Sequence, residues 1–434
     1  MNRVQNKKQP VPEKYRLNFR QLYLDIAWFG VLSGSTVGFL SVYMAHLGAS
    51  AFQIGLLNAT PAVVTLFLAL PAGRWLRGKP IDWAVFWSSV GFRIFYLTLV
   101  PLPFLFSSPT QIWVIVLITF SMSIPGTILA VGFNALFAQA VPEEYRGRVV
   151  GVRNALLAIT STSTTLVCGF FLNRLPFLQG YPLVFLLGFI GAAMSSLHLK
   201  MVRVTPEQER RPKGIRLSYL TEPGFFRSIG DAIRPGPRLR ELIRYRWRLP
   251  RFYVLRSPFG VILFLLLGFH LAQFLAIPLF PIYWVERLHL TDQDISMGNA
   301  LFFLLVFLGS TQLSRLVERF GNHNLFVIGA LLMSAYPGLT AVTRDVGMFL
   351  FASVVGGIAW SLAGGTVGNY LLEKIPEDER PSHLAWYTVI LNFAILIGSL
   401  AGPFIARHVG MIAALVIGAA CRFLAGLALW RWGR

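Results

Sequence analysis

The chain has 434 residues, of which 55% are apolar and only 13% charged, whereas an ordinary soluble domain is about a quarter charged. That composition excludes a water-soluble globule and makes a bilayer the solvent the fold must satisfy. The formal net charge of +20 does not require a nucleic-acid partner, because its distribution along the chain has a membrane explanation.

Residues 1–21 form a tail carrying Lys7, Lys8, Lys14, Arg16 and Arg20. It has neither the apolar stretch nor the small-residue cleavage site of a signal peptide, so the first span is expected to remain as an anchor. Apolar runs of the roughly 20 residues needed to cross about 30 Å of hydrocarbon as helix follow at 22–46, 51–73, 83–106, 112–138, 153–172 and 182–199. After a connection at 200–257 come six more, at 259–284, 295–315, 324–342, 347–371, 382–405 and 410–430. The expected fold is an all-α integral membrane protein of twelve transmembrane helices.

The loops alternate in charge. "HLGAS", "FSSPTQ", "NRLPFLQGYP", "ERLHLTDQD", "TRDVG" and "RHVG" are short and hold only Arg174, Arg287, Arg344 and Arg407 among Lys and Arg. Nearly all other basic residues face the opposite side, which the positive-inside rule makes cytoplasmic together with both termini; a plasma or inner membrane is the expected location. The connection at 200–257 is strongly basic, and "RLRELIRYRWR" places Leu239, Leu242, Ile243 and Trp247 at helical spacing between arginines, as a helix lying on anionic lipid would. A solvated linker obeying the charge rule is the alternative reading of the same stretch.

Several motifs carry no chemistry here. "GRWLRGK" spells the start of a phosphate loop, but Pro80 replaces the hydroxyl residue and the context is the end of a membrane helix. The sequon Asn58-Ala59-Thr60 sits inside a span. Cys168 and Cys421 are the only cysteines and both lie in spans, where a disulfide framework has no place. With no HExxH, paired-cysteine or nucleophile-elbow pattern, neither an enzyme nor a cofactor is expected.

The chain repeats itself. Pro142-Glu143-Glu144-Tyr145-Arg146 returns 234 residues later as Pro376-Glu377-Asp378-Glu379-Arg380, and a shift of 241 lays Ile54, Asn58 and Arg74 on Ile295, Asn299 and Arg315. Six spans, a long connection and six spans of the same orientation describe a parallel repeat around a cavity at the bilayer midplane. At the prolines, a fixed φ and acids at a helix N-terminus give the echo a structural reason; a part for Arg146 and Arg380 in gating is the alternative.

By span count, central connection and these motifs, the sequence resembles the major facilitator superfamily over essentially its whole length. The superfamily's Gly-x-x-x-Asp-Arg-x-Gly-Arg signature is matched in the second half by "SRLVERFGNHN", with Ser314 at the Gly position, Glu318 at the Asp position, then Arg319 and Gly321. The first-half copy "AGRWLRGKP" keeps Gly73 and Arg74 but has no acid before Arg77. The resemblance implies that Glu318 sits against the start of span five, near Arg148 and Arg153, with no counterpart latch. It also implies bundles at 22–199 and 258–430, and a cavity lined by spans 1, 2, 4, 5, 7, 8, 10 and 11.

Polar side chains at bilayer depth are the candidate substrate pathway, since leaving them unpaired there costs free energy. They are Ser35, Thr36, Asn58, Thr60, the run from Thr162 to Thr165, His270, Gln273 and Asn392, with Trp360 as an aromatic wall. His270 and Gln273 stand at i and i+3 on one helix face. Imidazole ordinarily titrates between pH 5 and 8, so His270 is the candidate for exchanging a proton. Charged residues inward of the span ends are few, namely Asp25, Arg93 and Arg422; Asp25 can pair with Arg93 or simply favour its own helix N-terminus.

No carboxylate falls at mid-depth, which argues against a strongly cationic cargo. The antiporter signature of drug exporters is missing from span five, while Gly398-x-x-x-Gly402-Pro403 in span eleven reads as a close-packing and kink site. The expectation is a monomeric secondary transporter of a small neutral or amphiphilic solute, coupled to protons or another ion, in contact with membrane lipids, with export favoured slightly over uptake. A transporter-like receptor or lipid-handling protein is the other class.

Overall fold

A computed structural model describes residues 13–76, 79–204, 253–376 and 379–434, and every described element is helical. The basic stretch around Leu239–Trp247 and Arg77 lie outside the described residues. The elements are α1 (Glu13–Leu32), which continues through a π turn at Ser33–Val37 into α2 (Gly38–His46), α3 (Ala51–Trp75), α4 (Ile81–Arg93), α5 (Phe95–Leu99), α6 (Leu102–Leu105), α7 (Ser108–Ala140), α8 (Glu143–Arg174) and α9 (Phe177–Lys200). The second half has α10 (Tyr253–Arg256), α11 (Pro258–Ala276), α12 (Leu279–Ile282) with a π turn at Tyr283–Arg287, α13 (Asp292–Leu332), α14 (Ala335–Val342), α15 (Val346–Lys374), α16 (Arg380–Val409) and α17 (Met411–Trp432).

Ten of the described helical segments are long and apolar enough to cross a membrane, and two differences from the expected twelve have local causes. The expected third span, 83–106, is three short helices, α4 to α6; α5 and α6 part where Pro101 and Pro103 supply no N–H to the carbonyls four residues back and their rings crowd the preceding turn. The end of the expected ninth span is α14, and the rest of it follows the expected eighth across a kink inside α13. Its path changes at Gly321, the glycine of the second-half motif, which holds φ 76° and ψ 159°, a conformation that only glycine adopts without strain. α1 begins at Glu13, ahead of the expected first span, and span seven breaks after Ala276, where Pro278 and Pro281 remove two N–H donors.

Helix starts are set by short-range capping. Ser50 accepts from Gln53 N while the Gln53 side chain returns to Ser50 N, and Thr291 and Asp294 form the same reciprocal box, which satisfies donors that a helix N-terminus would otherwise orphan. Small residues then let helices approach. A Cβ on Gly34 would lie 2.3 Å from the Ser161 carbonyl oxygen, and one on Gly402 would lie 1.8 Å from that of Leu275, so the π turn after α1 against α8 and α16 against α11 pack backbone to backbone.

Helices of each half pack mainly on one another, and the halves meet through α3 with α16 and α8 with α13. These crossings concentrate toward the end that carries the short loops. Gly55 abuts Ser399 and Pro403, and Gly169 abuts Ser296. Val42 joins the apolar cluster of Leu279, Phe280 and Trp284. At the basic end Arg74, Arg315, Glu318 and Arg319 are exposed, and a Cβ on Gly73 would meet only open space.

Candidate functional site

The structure sorts the candidate polar residues into three environments. Ser35 and Thr36 are fully buried where the π turn of the first span meets α8 and α9. The Ser35 hydroxyl donates to the Val31 carbonyl at 2.6 Å, Thr165 donates to the Gly34 carbonyl at 3.0 Å, and a Cβ on Gly188 would lie 2.0 Å from Thr36 Oγ1. These contacts fill the interior of the first half.

Asn58 and Thr60 are half-buried on α3, and Thr162 is half-buried on α8, the two first-half helices that cross to the second half. The Asn58 amide donates to the Ile54 carbonyl at 3.1 Å. Across from α3, α16 contributes Leu391 and Ile395, which cluster with Ala62 and pack against Phe274 and Tyr387. Tyr387 therefore stands at the seam, and its hydroxyl lies 3.1 Å from His270 Nε2 on α11. Sequence reading missed this partner; the available signal was a phenol within the apolar run of span eleven.

Around this pair several buried polar atoms lack a hydrogen bond. They include His270 Nδ1, Gln273 Oε1 and Asn392 Oδ1, while the Asn392 amide nitrogen donates to the Thr388 carbonyl at 2.8 Å. Unsatisfied buried acceptors are costly, and here they sit on α11 and α16, which pack on each other. Trp360 is half-buried on α15. Chemically the arrangement offers a neutral set of donors and acceptors beside aromatic rings, able to take a polar group.

The gating candidates separate as well. Asp25 is fully buried, with Arg153 Nη1 3.1 Å from Oδ2, Arg93 Nη2 3.8 Å from Oδ1 and the Ser195 hydroxyl donating at 2.5 Å. Arg93 also donates to Ser196 at 3.0 Å. The expected Asp25–Arg93 pair thus exists as part of a larger cluster that ties α1, α4, α8 and α9 together inside one half. Arg146 donates to the carbonyls of Ala138 and Val141, capping the end of α7.

The expected approach of Glu318 to Arg153 is not found. Glu318 is exposed, and Arg153 is turned inward to Asp25 and the Leu22 carbonyl, because a buried carboxylate holds a guanidinium more strongly than a solvated one. Arg315 and Arg319 are exposed on the same stretch, and Arg380 is half-buried at the start of α16. Arg422, buried in α17, donates to the carbonyls of Ala272 at 3.3 Å, Gln273 at 2.8 Å and Met333 at 3.1 Å. Pro337 has no N–H to give Met333, and the guanidinium takes that place.

Comparisons with known proteins agree with this architecture. Residues 26–291 and 262–434 match the family model described as Major Facilitator Superfamily. Multidrug resistance protein 2 of Bacillus subtilis is 25% identical over 132 residues, 30% of this chain and 33% of that protein, so the match spans about a third of the relative's length. The crystal structure of a D-xylose–proton symporter superposes with a TM-score of 0.69 at 16% identity, covering 96% of this chain and 97% of that one. A bacterial homologue of the iron transporter ferroportin gives 0.68 in its inward-facing state, at 15% identity over 95% of this chain and 98% of that one, and 0.56 in its outward-facing state, at 14% over 96% and 99%. A helical chain with ten described segments able to cross a membrane, matched from residue 26 to its end by one family model, belongs to the Major Facilitator Superfamily and is an integral membrane protein of that transporter family.

Proposed function

We propose that this transporter moves a neutral or amphiphilic solute by alternating access, as a monomer, with export favoured and an ion gradient rather than ATP as the source of work. The observation that carries the reading is the seam at His270, Tyr387, Gln273 and Asn392, where uncharged hydrogen-bonding atoms are buried without partners and no Asp or Glu of the described residues stands at the same depth. Such a site favours a cargo that hydrogen-bonds without a full charge, since an unpaired ion would be expensive there. The part-length match to a multidrug resistance protein supports export.

In this reading the chain crosses twelve times. The broken segment α4–α6 supplies one crossing and the turn at Gly321 divides α13 into two, giving bundles at 22–199 and 258–430 joined by the basic 200–257 connection. Both termini face the cytoplasm, as charge bias requires, and the state described is inward-facing. The convergence of the halves at the short-loop end and the better superposition on an inward-facing relative support that assignment.

Thermal unfolding of detergent-purified protein against neutral and amphiphilic compounds tests the site, because a ligand at 100 times its Kd stabilises by about 2.7 kcal/mol. Hits should be lost in Gln273→Ala and Tyr387→Phe and should exchange by counter-flow in liposomes. Hits that survive both substitutions would overturn the site, and binding without exchange would indicate a receptor.

A further inference from the structure

The short-loop seam carries a charge pair that the transport reading leaves unused. Asp292, the first residue of α13, presents Oδ1 to two side chains of the other half: the Tyr181 hydroxyl donates to it at 2.8 Å, and His46 Nε2 lies 3.1 Å away. Asn173 donates to Gln293 at 2.9 Å beside them, and the imidazole meets Phe177 and Tyr181 edge-on at 6.2 and 6.1 Å. The pairs Asp25–Arg93, Asp25–Arg153 and His383–Glu379 each lie within one half, whereas His46–Asp292 joins the two.

We infer that His46, Asp292 and Tyr181 form a proton-operated latch, in which a proton taken by His46 from the short-loop side holds that gate shut and its loss loosens the gate. The inference rests on the transport reading above, because a latch needs a gate that opens. Imidazole is the side chain whose ordinary titration spans pH 5 to 8, whereas Asp292 sits in the first turn of a long helix, where negative charge is favoured. Of the two groups, the imidazole is the one that must gain a proton before the contact becomes an ion pair. Full ion pairing requires both the proton and the closed seam, so each stabilises the other by linkage.

The surrounding groups leave this assignment intact. Tyr181 donates to Asp292 whichever charge His46 carries, and Tyr43, whose ring is tilted against that of Tyr181 at 4.8 Å, is bonded to Gln111. Asp294 is held by Thr291. Glu286 and Arg287, on the π turn beside α2, are exposed, as is His289, and the Arg174 guanidinium lies 4.0 Å over the Phe170 ring.

The His46 side chain is 27% exposed and that of Asp292 12%, at the end where the halves are packed together. A proton thus reaches His46 from the short-loop side. The pair is therefore a sensor of pH on the short-loop side and not the carrier that couples transport.

The test places spin labels at Ser108 and Arg344, exposed positions of opposite halves near the short loops, with Cys168 and Cys421 replaced by alanine, and reads the label separation in lipid nanodiscs at about pH 5.5 and 8.5. Wild type should show a closed-to-open ratio up to about fivefold higher at the lower pH, the scale of a part-exposed ion pair. His46→Gln should abolish that response. Asp292→Asn should open the seam at both pH values, and Tyr181→Phe should loosen it while keeping the pH response. A wild-type ratio that ignores pH, or a His46→Gln ratio that still follows it, overturns the latch; thermal unfolding verifies that His46→Gln is folded, and it alone decides if Asp292→Asn is not. Counter-flow on the same samples separates the two readings: exchange with a pH-blind gate removes only the latch, and a pH-driven gate without exchange removes only transport.

Discussion

Asp25→Asn should be among the most damaging single substitutions in this chain. The carboxylate shares its two oxygens among Ser195 at 2.5 Å, Arg153 at 3.1 Å and Arg93 at 3.8 Å, and is itself fully buried. At an effective dielectric constant of about 20, unit charges at those two ion-pair separations attract by roughly 5 and 4 kcal/mol, and most of that offsets the desolvation of the ions. Asparagine keeps the size and the acceptor for Ser195 but leaves two buried guanidiniums facing each other without the shared anion. Removing one partner of a buried pair costs about 3–5 kcal/mol. Cys168, 1% exposed in the same half, reports opening when a thiol-reactive dye is present during thermal or denaturant unfolding. A loss below about 1 kcal/mol would refute the reasoning, and so would an Asp25→Asn/Arg153→Met double variant whose loss equals the sum of the singles, since residues in one ion network should be coupled by at least about 0.5 kcal/mol.

Arg422→Met removes three guanidinium donors from the carbonyls of Ala272, Gln273 and Met333; a destabilisation of about 2–4 kcal/mol is expected in denaturant unfolding, with Arg422→Lys intermediate. Gly402→Ala forces a Cβ to within 1.8 Å of the Leu275 carbonyl oxygen and should cost at least about 1–3 kcal/mol in the same assay, whereas Gly151→Ala, with nothing within 4 Å, should stabilise its helix by about 0.5–1 kcal/mol. Gly321→Ala should cost about 1–3 kcal/mol, because φ 76° with ψ 159° is essentially closed to a residue with a Cβ.

The sequence made the membrane character, the repeat and most spans legible because a bilayer imposes one loud signal, a run of apolar residues of fixed length. Where that signal failed, local chemistry had intervened. Prolines 101 and 103 sit in a run that reads as one span and divide it, and Gly321 bends the chain between two expected spans where no polar loop marks the turn. The Asp25–Arg93 pair could be anticipated because charges inside spans are few and must find partners. The Arg153 contribution could not, since Arg153 stands near the end of a span where an arginine ordinarily reaches water. Ser35 and Thr36 read as pathway residues because hydrophobicity says how deep a residue lies and nothing about which side of its helix faces a neighbour; the structure turns both toward α8 and α9.

One pair of positions explains how a repeated fold acquires unlike halves. Counted from Pro142 and Pro376, Arg153 and Tyr387 occupy the same place, and each reaches from α8 or α16 to the opening helix of its own half. In the first half the partner is Asp25, and the result is an ion cluster deep in the packing of four helices. In the second the partner is His270, and the result is a pair without a carboxylate whose tyrosine also borders the seam with α3. A buried ion cluster must keep its geometry or leave uncompensated charge, which suits a part of the molecule that moves as a block. A phenol and an imidazole can exchange each other for a cargo hydroxyl or amide at a smaller cost, about that of one hydrogen bond. On the proposed reading of the site, the same slot in the repeat gives the first half rigidity and the second half a replaceable contact, and alternating access needs both, since a cargo must be held and then let go.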